Sequence, residues 1–352
     1  MELSTLQKEI LNAPSNRTVV LSSAASGKSR LLTEKVRQLL RAGINPREIA
    51  VITFTNMAAG ELKSRLGDDY KEGLYVGTIH GLANYMLCRG GVSTTKILDE
   101  EKFDSLFHLI KLHPNVVHHL DWLLLDEAQD SDNNQFEFMF KMINPECFFV
   151  VGDPKQSIYQ WKGSDPSLLL ELANRSDIEL FHMNENYRNG INILNYAKKI
   201  ITPTGLNDLS VCRSGRNGYV QKATFNDQLI IDKICEEENF KEWAILTRTN
   251  QEIDVLSKVL KRADIPFNTF KQGDLSKEEL NKKMEQDTVK LLTIHSAKGL
   301  EWDNVVVIGA RYYSNEERNI SYVAATRARN LLIWMSGPTK AFIRSLDGRY
   351  FM

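Results

Sequence analysis

Short, nearly unbroken apolar runs recur along this chain, and each is followed by polar residues and then by the three-to-four-residue spacing of an amphipathic helix. Val19 to Ser22, Ala50 to Phe54, Leu74 to Thr78, Trp122 to Asp126 and Cys147 to Gly152 form one series, with Lys28 to Leu40 as its first helix. Runs this apolar suit strands buried on both faces, and strands alternating with helices give a parallel sheet covered by helices. The pattern restarts near Asn184, with a helix from Gly190 to Ile200 and a turn-rich stretch from Thr202 to Gly218 that reads as loop or linker. A second series follows at Tyr219 to Phe225, Trp243 to Thr247, Val289 to Ile294, Asn304 to Ile308 and Leu331 to Met335. The expected fold class is α/β in two domains, 1–183 and 184–352, with a short helical insert near 81–120 in the first. The Lys- and Glu-rich segment from Lys271 to Asp287 reads as a solvated helix and connector.

Composition narrows the partners. The 352 residues suit two domains, and 44 basic against 45 acidic side chains leave a formal charge of -1. No bulk positive field draws a polyanion, so any phosphate binding must arise from local placement. The opening MELSTLQKEI lacks the basic start and apolar core of a signal peptide, and no apolar run nears the roughly 18 residues of a membrane helix. The expectation is a cytoplasmic protein with no membrane partner. Cys88, Cys147, Cys212 and Cys235 are too widely spaced for a C-x-x-C pair and read as reduced structural thiols. His108, His113, His118 and His119, interrupted by Pro114, do not share a helical face and read as no zinc site.

Ser26-Gly27-Lys28-Ser29 lies directly after an expected strand and opens an expected helix, the context of a phosphate loop. Backbone N–H groups of Ser23, Ala24, Ala25, Ser26, Gly27 and Arg30 would cradle phosphate oxygens there, with Lys28 neutralising the outer phosphates and the Ser29 hydroxyl on Mg2+. Ser22 stands where such loops usually begin with glycine, and Ser23 and Ala25 also replace frequent glycines. A second signal is Leu123 to Glu127, an apolar strand that ends in two carboxylates. Such a strand delivers both acids to the carboxyl edge of a sheet, where open α/β folds bind ligands. Asp126 can then hold Mg2+ while Glu127 orients and deprotonates an attacking water.

Ten segments in order make the chain resemble the UvrD/Rep type of superfamily 1 DNA helicases. They are Leu3–Gln7, Ala24–Ser29, Thr53–Ala59, Gly77–His80, Asp126–Asp130, Gly152–Tyr159, Asn186–Arg188, Ala244–Asn250, Thr293–Glu301 and Tyr322–Ala328. The resemblance implies two RecA-like P-loop domains with an ATP site and a DNA track between them. It implies that Gln7 reads the adenine edge, Tyr187 stacks on the base and Glu301 lies near the ribose. It further implies that Gln156 senses the γ-phosphate and that Arg188 and Arg327 act as arginine fingers. Phe54, Thr55, Asn56, Thr78, His80, Tyr159 and Trp161 in the first domain match strand-facing positions, as do Arg248, Asn250, Thr293 and His295 in the second. Ile79 departs from the family, which often carries an aromatic there.

The implied activity is an ATP- and Mg2+-dependent 3′-to-5′ translocase or helicase on single-stranded DNA and on junctions with duplex. Only 45 residues separate His80 from Asp126, room for about two helices, and 18 separate Phe270 from Val289, so the family's inserted subdomains are expected to be small or missing. That leaves room for an accessory protein that replaces them. The alternative is an ATP-gated subunit that binds DNA or a partner with little or no unwinding of its own. Asp69-Tyr70-Lys71 is similar to the nuclease motif of related recombination motors, but its place between two motor motifs argues against that role.

Overall fold

The computed structural model describes residues 2–237, 239–270 and 282–336. They form two compact units divided between Asn184 and Glu185. The first holds a six-stranded sheet of β1 (Arg17–Ser22), β2 (Ile49–Ile52), β3 (Tyr75–Gly77), β4 (Trp122–Leu125), β5 (Cys147–Gly152) and β6 (Glu179–Met183). Their order is β3-β2-β4-β5-β1-β6, and every adjacent pair runs parallel.

The apolar runs work as buried parallel strands because their alternate residues feed two separate cores. Val19, Ala50, Leu123, Leu125 and Val150 pack on one face, with Leu82 and Met86 of α4 (Ile79–Arg89) and Leu106 and Ile110 of α6 (Ser105–Leu112). Val20, Val51, Leu124 and Val151 pack on the other, with Leu31, Val36 and Leu39 of α2 (Lys28–Arg41) and Leu62 of α3 (Asn56–Leu66). A strand buried on both faces cannot show polar alternation, and this accounts for the uninterrupted sequence signal. Thr55 and Thr78 accept hydrogen bonds from Ala58 N and Gly81 N, capping α3 and α4 at the carboxyl ends of β2 and β3.

The second unit repeats the arrangement with β9 (Tyr219–Thr224), β10 (Trp243–Thr247), β11 (Phe267–Phe270), β12 (Val289–Thr293), β13 (Trp302–Ile308) and β14 (Ala328–Ser336). Their order is β11-β12-β10-β13-β14-β9, again all parallel. Ile230 and Ile234, with Ile253, Leu256 and Leu260 of the helix Asn250–Arg262, fill one core with Ile245, Leu291, Val306 and Ile333. On the second sheet, Tyr196 of α9 (Ile191–Ile201) meets Trp334 of β14 edge-on at 5.4 Å.

Several elements differ from the sequence reading. β6 and β11 escape the apolar-run criterion because neither is an apolar run: Glu179 and His182 interrupt the first, Asn268 and Thr269 the second. Within the stretch read as loop, Val211–Cys212 (β8) pairs with Glu185–Asn186 (β7), a ladder too short to leave a pattern. The insert between β3 and β4 holds three helices, α4, α6 and the five-residue Thr95–Asp99, rather than two. Of Lys271 to Asp287, residues 271–281 lie outside the described residues and 282–285 are helical. No helix among the described residues is long and apolar enough to cross a membrane.

Gly190 precedes α9 at a point of close backbone approach, where an added Cβ would stand 2.4 Å from Gly218 Cα. Neither backbone can yield as a flexible side chain would. Gly190→Ala is therefore expected to destabilise the second unit by about 1–3 kcal/mol, read as a lowered denaturant midpoint. An unchanged midpoint would show that the approach is not tight.

Candidate functional site

The site of the first unit is built at the carboxyl edge of its sheet, from the loops after β1, β4 and β5. The β1 loop enters α2 through Gly27, whose φ of 87° is left-handed, and Ala25 shares that region at φ 57°. Ser22 and Ser23 are absent from the left-handed residues, so neither position demands glycine. Ser22 instead uses its hydroxyl, which donates to Gly152 O at 3.0 Å and ties the loop to the end of β5. At Ser22 the departure from the usual glycine pattern thus gains a hydrogen bond without backbone strain.

Gln7 is buried against this loop. Its Nε2 donates to Ser26 O at 3.3 Å, while its Oε1 accepts from Ser4 N and Ser4 Oγ accepts from Gln7 N, a reciprocal cap on the helix Thr5–Leu11. A Cβ on Gly27 would come within 2.8 Å of that Nε2.

Lys28, Ser29, Asp126 and Glu127 converge. Lys28 Nζ lies 3.8 Å from Glu127 Oε1, and Ser29 Oγ lies 3.5 Å from Asp126 Oδ2. Asp126 Oδ1 also accepts from Glu127 N at 2.9 Å, and Glu127 adopts a left-handed φ of 53°. Left-handed backbone costs a non-glycine residue about 1–2 kcal/mol, and here it turns the second carboxylate away from the strand direction. Burial, then the neighbouring Glu127 charge, raises the Asp126 pKa above the ordinary carboxylate range. A buried carboxylate in that state gains most from a cation. Two hard oxygen donors beside a lysine and a helix N-terminus fit a Mg2+–triphosphate, since Mg2+ commonly takes one or two protein oxygens and fills its shell with phosphates and water. Among the described residues no cluster of three or more His, Cys, Asp or Glu could hold a metal by itself.

Two residues carry this site without having been singled out. Gln129, wholly buried, donates from Nε2 to Glu127 Oε2 and accepts at Oε1 from Asp153 N at 2.9 Å. Asp153 in turn accepts from Gln156 Nε2 at 2.7 Å and pairs with Lys155 at 3.1 Å. The loop after β4 and the loop after β5 are therefore joined through side chains. The motif lettering contains both residues, but only the fold shows that one amide bridges two loops.

In the second unit, Arg188 donates to Glu301 Oε2 and to Thr326 O at 3.2 Å. Arg329 binds the other oxygen, Glu301 Oε1, at 2.9 Å. Burial works to raise the Glu301 pKa, but the two guanidiniums outweigh it and hold the group ionised. Glu301, expected near a ribose, is thus engaged by arginines. Arg327 is buried and donates to Val323 O, Leu300 O and Thr326 Oγ1. Tyr187 donates its hydroxyl to Glu185 Oε2 at 2.7 Å.

The residues matched to a nucleic-acid track lie at or after the carboxyl ends of parallel strands. Phe54 follows β2 and stacks on Tyr159 at 4.9 Å and 21°, and Thr55 and Asn56 beside it are exposed. Trp161 is 63% exposed, with Lys162 Nζ 4.9 Å from its ring centre. His80 packs on Phe107 at 5.0 Å and meets Asp104 Oδ1 at 3.0 Å. Ile79 is a core residue, so it offers no stacking surface. Arg248 and Asn250 follow β10, Thr293 ends β12 and His295 follows it. Arg248 is held by Glu317 at 2.5 Å, and Thr293 Oγ1 accepts from Ser296 N at 3.2 Å. Asp69 is engaged by Arg37 at 2.8 Å, an ion pair rather than an isolated acid.

The sequence is similar to known proteins over most of its length. The family model described as the UvrD/REP helicase N-terminal domain matches residues 3–115 and 111–177, and that of the UvrD-like helicase C-terminal domain matches 181–279 and 270–337. Among curated proteins, "ATP-dependent DNA helicase Rep" of Escherichia coli is 24% identical over 369 residues, covering 76% of this chain and 55% of that protein. "DNA helicase II" of the same organism is 24% identical, covering 76% of this chain and 51% of that protein. A "Probable DNA helicase" of Mycoplasma pneumoniae is 23% identical, covering 97% and 84%. The chain thus spans about half the length of the first two relatives.

Ala25 holds a left-handed conformation that only glycine adopts freely. Ala25→Gly is expected to leave stability unchanged or raise it by up to about 1 kcal/mol, the relief of strain offsetting the greater freedom of the unfolded chain. Gly27→Ala is expected to lower it. Denaturant titration of the three proteins checks the order, and a destabilised Ala25→Gly would contradict the loop conformation.

Proposed function

The chain belongs to the UvrD/Rep helicase family, and from that premise we propose that it is a DNA-dependent ATPase that moves 3′ to 5′ on single-stranded DNA and unwinds at junctions with duplex. The observation that carries the proposal is the convergence of Lys28, Ser29, Asp126 and Glu127 at one sheet edge. The Lys28 ammonium, resting at 3.8 Å from Glu127, is placed to transfer to the outer phosphates of ATP. Glu127 is then freed to accept a proton from the attacking water, and Gln129 fixes its carboxylate while it does so. A Mg2+ held by Ser29 and Asp126 would offset charge on the phosphate oxygens. Gln7 is assigned to the adenine edge, Tyr187 to its face and Glu301 to the ribose.

Gln156 is assigned to sense the γ-phosphate. Its hydrogen bond to Asp153, and the contact from Asp153 through Gln129 to Glu127, support a role in passing the state of the phosphate to the segment that ends in Tyr159 and Trp161. Arg188 and Arg327 are assigned as arginine fingers, since planar guanidiniums stabilise charge spread over a transferring phosphoryl group. Phe54, Tyr159 and Trp161 supply stacking faces worth about 1–3 kcal/mol per base, and the polar residues after β2, β3, β10 and β12 supply backbone contacts. Stacking of this kind suits a strand that must slide.

Lys28→Ala is expected to abolish DNA-stimulated ATP hydrolysis while the protein stays folded. Strand displacement from partial duplexes should require a 3′ single-stranded tail. Undiminished turnover in Lys28→Ala would refute the ATPase assignment, displacement from 5′ tails would refute the polarity, and ATP-dependent DNA binding without displacement from either tail would favour a clamp.

A further inference from the structure

A second basic and aromatic surface lies in the second unit, on residues to which no role is assigned above. Asn192, Asn195, Tyr196 and Lys199 recur on α9 at i, i+3, i+4 and i+7, so they share one helical face. The other face of α9 is the core face, carrying Ile193, Leu194, Ala197, Ile200 and Ile201. On the first face Asn192, Asn195 and Lys199 are exposed, and only Tyr196 also reaches inward, to Trp334. Together with Tyr219 and Lys222 of β9 it lines a cavity of about 590 Å3. Among the described residues β9 is an edge strand, paired with β14 alone.

The chemistry of the lining is selective. Among the described residues it contains two lysines and no carboxylate. Lys199 forms no ion pair among the described residues, and Lys222 stands 4.8 Å above the Tyr196 ring. Tyr219 is 62% exposed, a large aromatic face left open to solvent at the start of a strand. Asn192 is oriented by its donation to Gly218 O at 3.0 Å, which keeps its amide at the groove floor. Cations for phosphates, an open ring for a base and amides for base edges describe a single-stranded nucleic acid, whereas an acidic peptide would use the lysines and leave the ring idle. The volume lies within the roughly 300–1,000 Å3 of ligand sites, enough for a short stretch of strand rather than an extended track.

We propose that the groove between α9 and β9 is an auxiliary single-stranded nucleic-acid site, with Lys199 and Lys222 on phosphates and Tyr219 stacked on a base. It rests on the reading of the chain as a DNA-acting motor only for the choice of ligand. Such a site gives the second unit a hold on the strand separate from the stepping contacts.

The test measures binding of a long oligothymidylate across a salt series, beside ATP turnover at saturating DNA, in wild type and in Lys199→Ala/Lys222→Ala. Single strands lose affinity with a slope of about 0.7 per phosphate neutralised, so the double variant should lower the magnitude of the salt slope by about 1.4 while DNA-stimulated turnover is unchanged. Tyr219→Ala should weaken binding by roughly five-fold to a hundred-fold at fixed salt, with the same turnover. A 4-thiothymidine oligonucleotide should crosslink to the peptide that contains Tyr219. An unchanged salt slope with no crosslink at that peptide overturns the proposal, as does competition at the groove by polyglutamate as strong as by the oligonucleotide. Absence of DNA-stimulated turnover in the wild type would instead strike the motor reading, which the binding and crosslinking arms read separately.

Discussion

The parallel register of β1, β5 and β4 is the constraint on which the site depends. Each strand delivers its following loop to the same edge, so Ser22 reaches Gly152 and Lys28 reaches Glu127 although about a hundred residues separate each pair in sequence. A register slip of one residue would turn the apolar side chains of β4 to the opposite cores and swing Asp126 away from Ser29. The two cores that enforce this register are also the largest source of burial in the unit. Fold and site therefore share one cause.

The polar groups at that edge form a connected set. Gln129 touches Glu127 on one side and Asp153 on the other, and Asp153 holds Gln156. A buried amide that serves two loops fixes both, because breaking either bond strands a polar group away from water. This link joins the proposed water-activating acid to the loop that continues into Tyr159 and Trp161. The corresponding set in the second unit gathers Arg188 and Arg329 on one carboxylate, Glu301. A carboxylate shared in this way holds both guanidiniums in place.

Much of this was legible in the sequence. The central strands could be read because residues buried on both faces leave an unbroken apolar run, and Lys28, Ser29, Asp126 and Glu127 could be read because a strand must deliver them to its carboxyl end. β6 and β11 could not, since Glu179 and His182 in one and Asn268 and Thr269 in the other break the apolar run. The tolerance of Ser22 was hidden for a different reason: whether a position needs glycine depends on its φ, and the strain falls at Ala25 and Gly27 instead. Gln129 was written in the motif, but its role rests on a contact with Asp153, 24 residues away, that no local pattern encodes. The groove stripe on α9 was present as an i, i+3, i+4, i+7 pattern of Asn, Tyr and Lys, yet a polar stripe ordinarily means a solvated face and gains significance only once β9 closes its other wall.

The central claim is that the carboxylate pair divides its work, Asp126 serving the metal and Glu127 the water. The most direct measurement is ATP binding and single-turnover hydrolysis in Glu127→Gln, which keeps the shape and removes the base. The account predicts nucleotide binding within a few-fold of wild type and hydrolysis slowed by roughly 10²–10⁴. Hydrolysis at the wild-type rate, or loss of nucleotide binding with the fold intact, would contradict it.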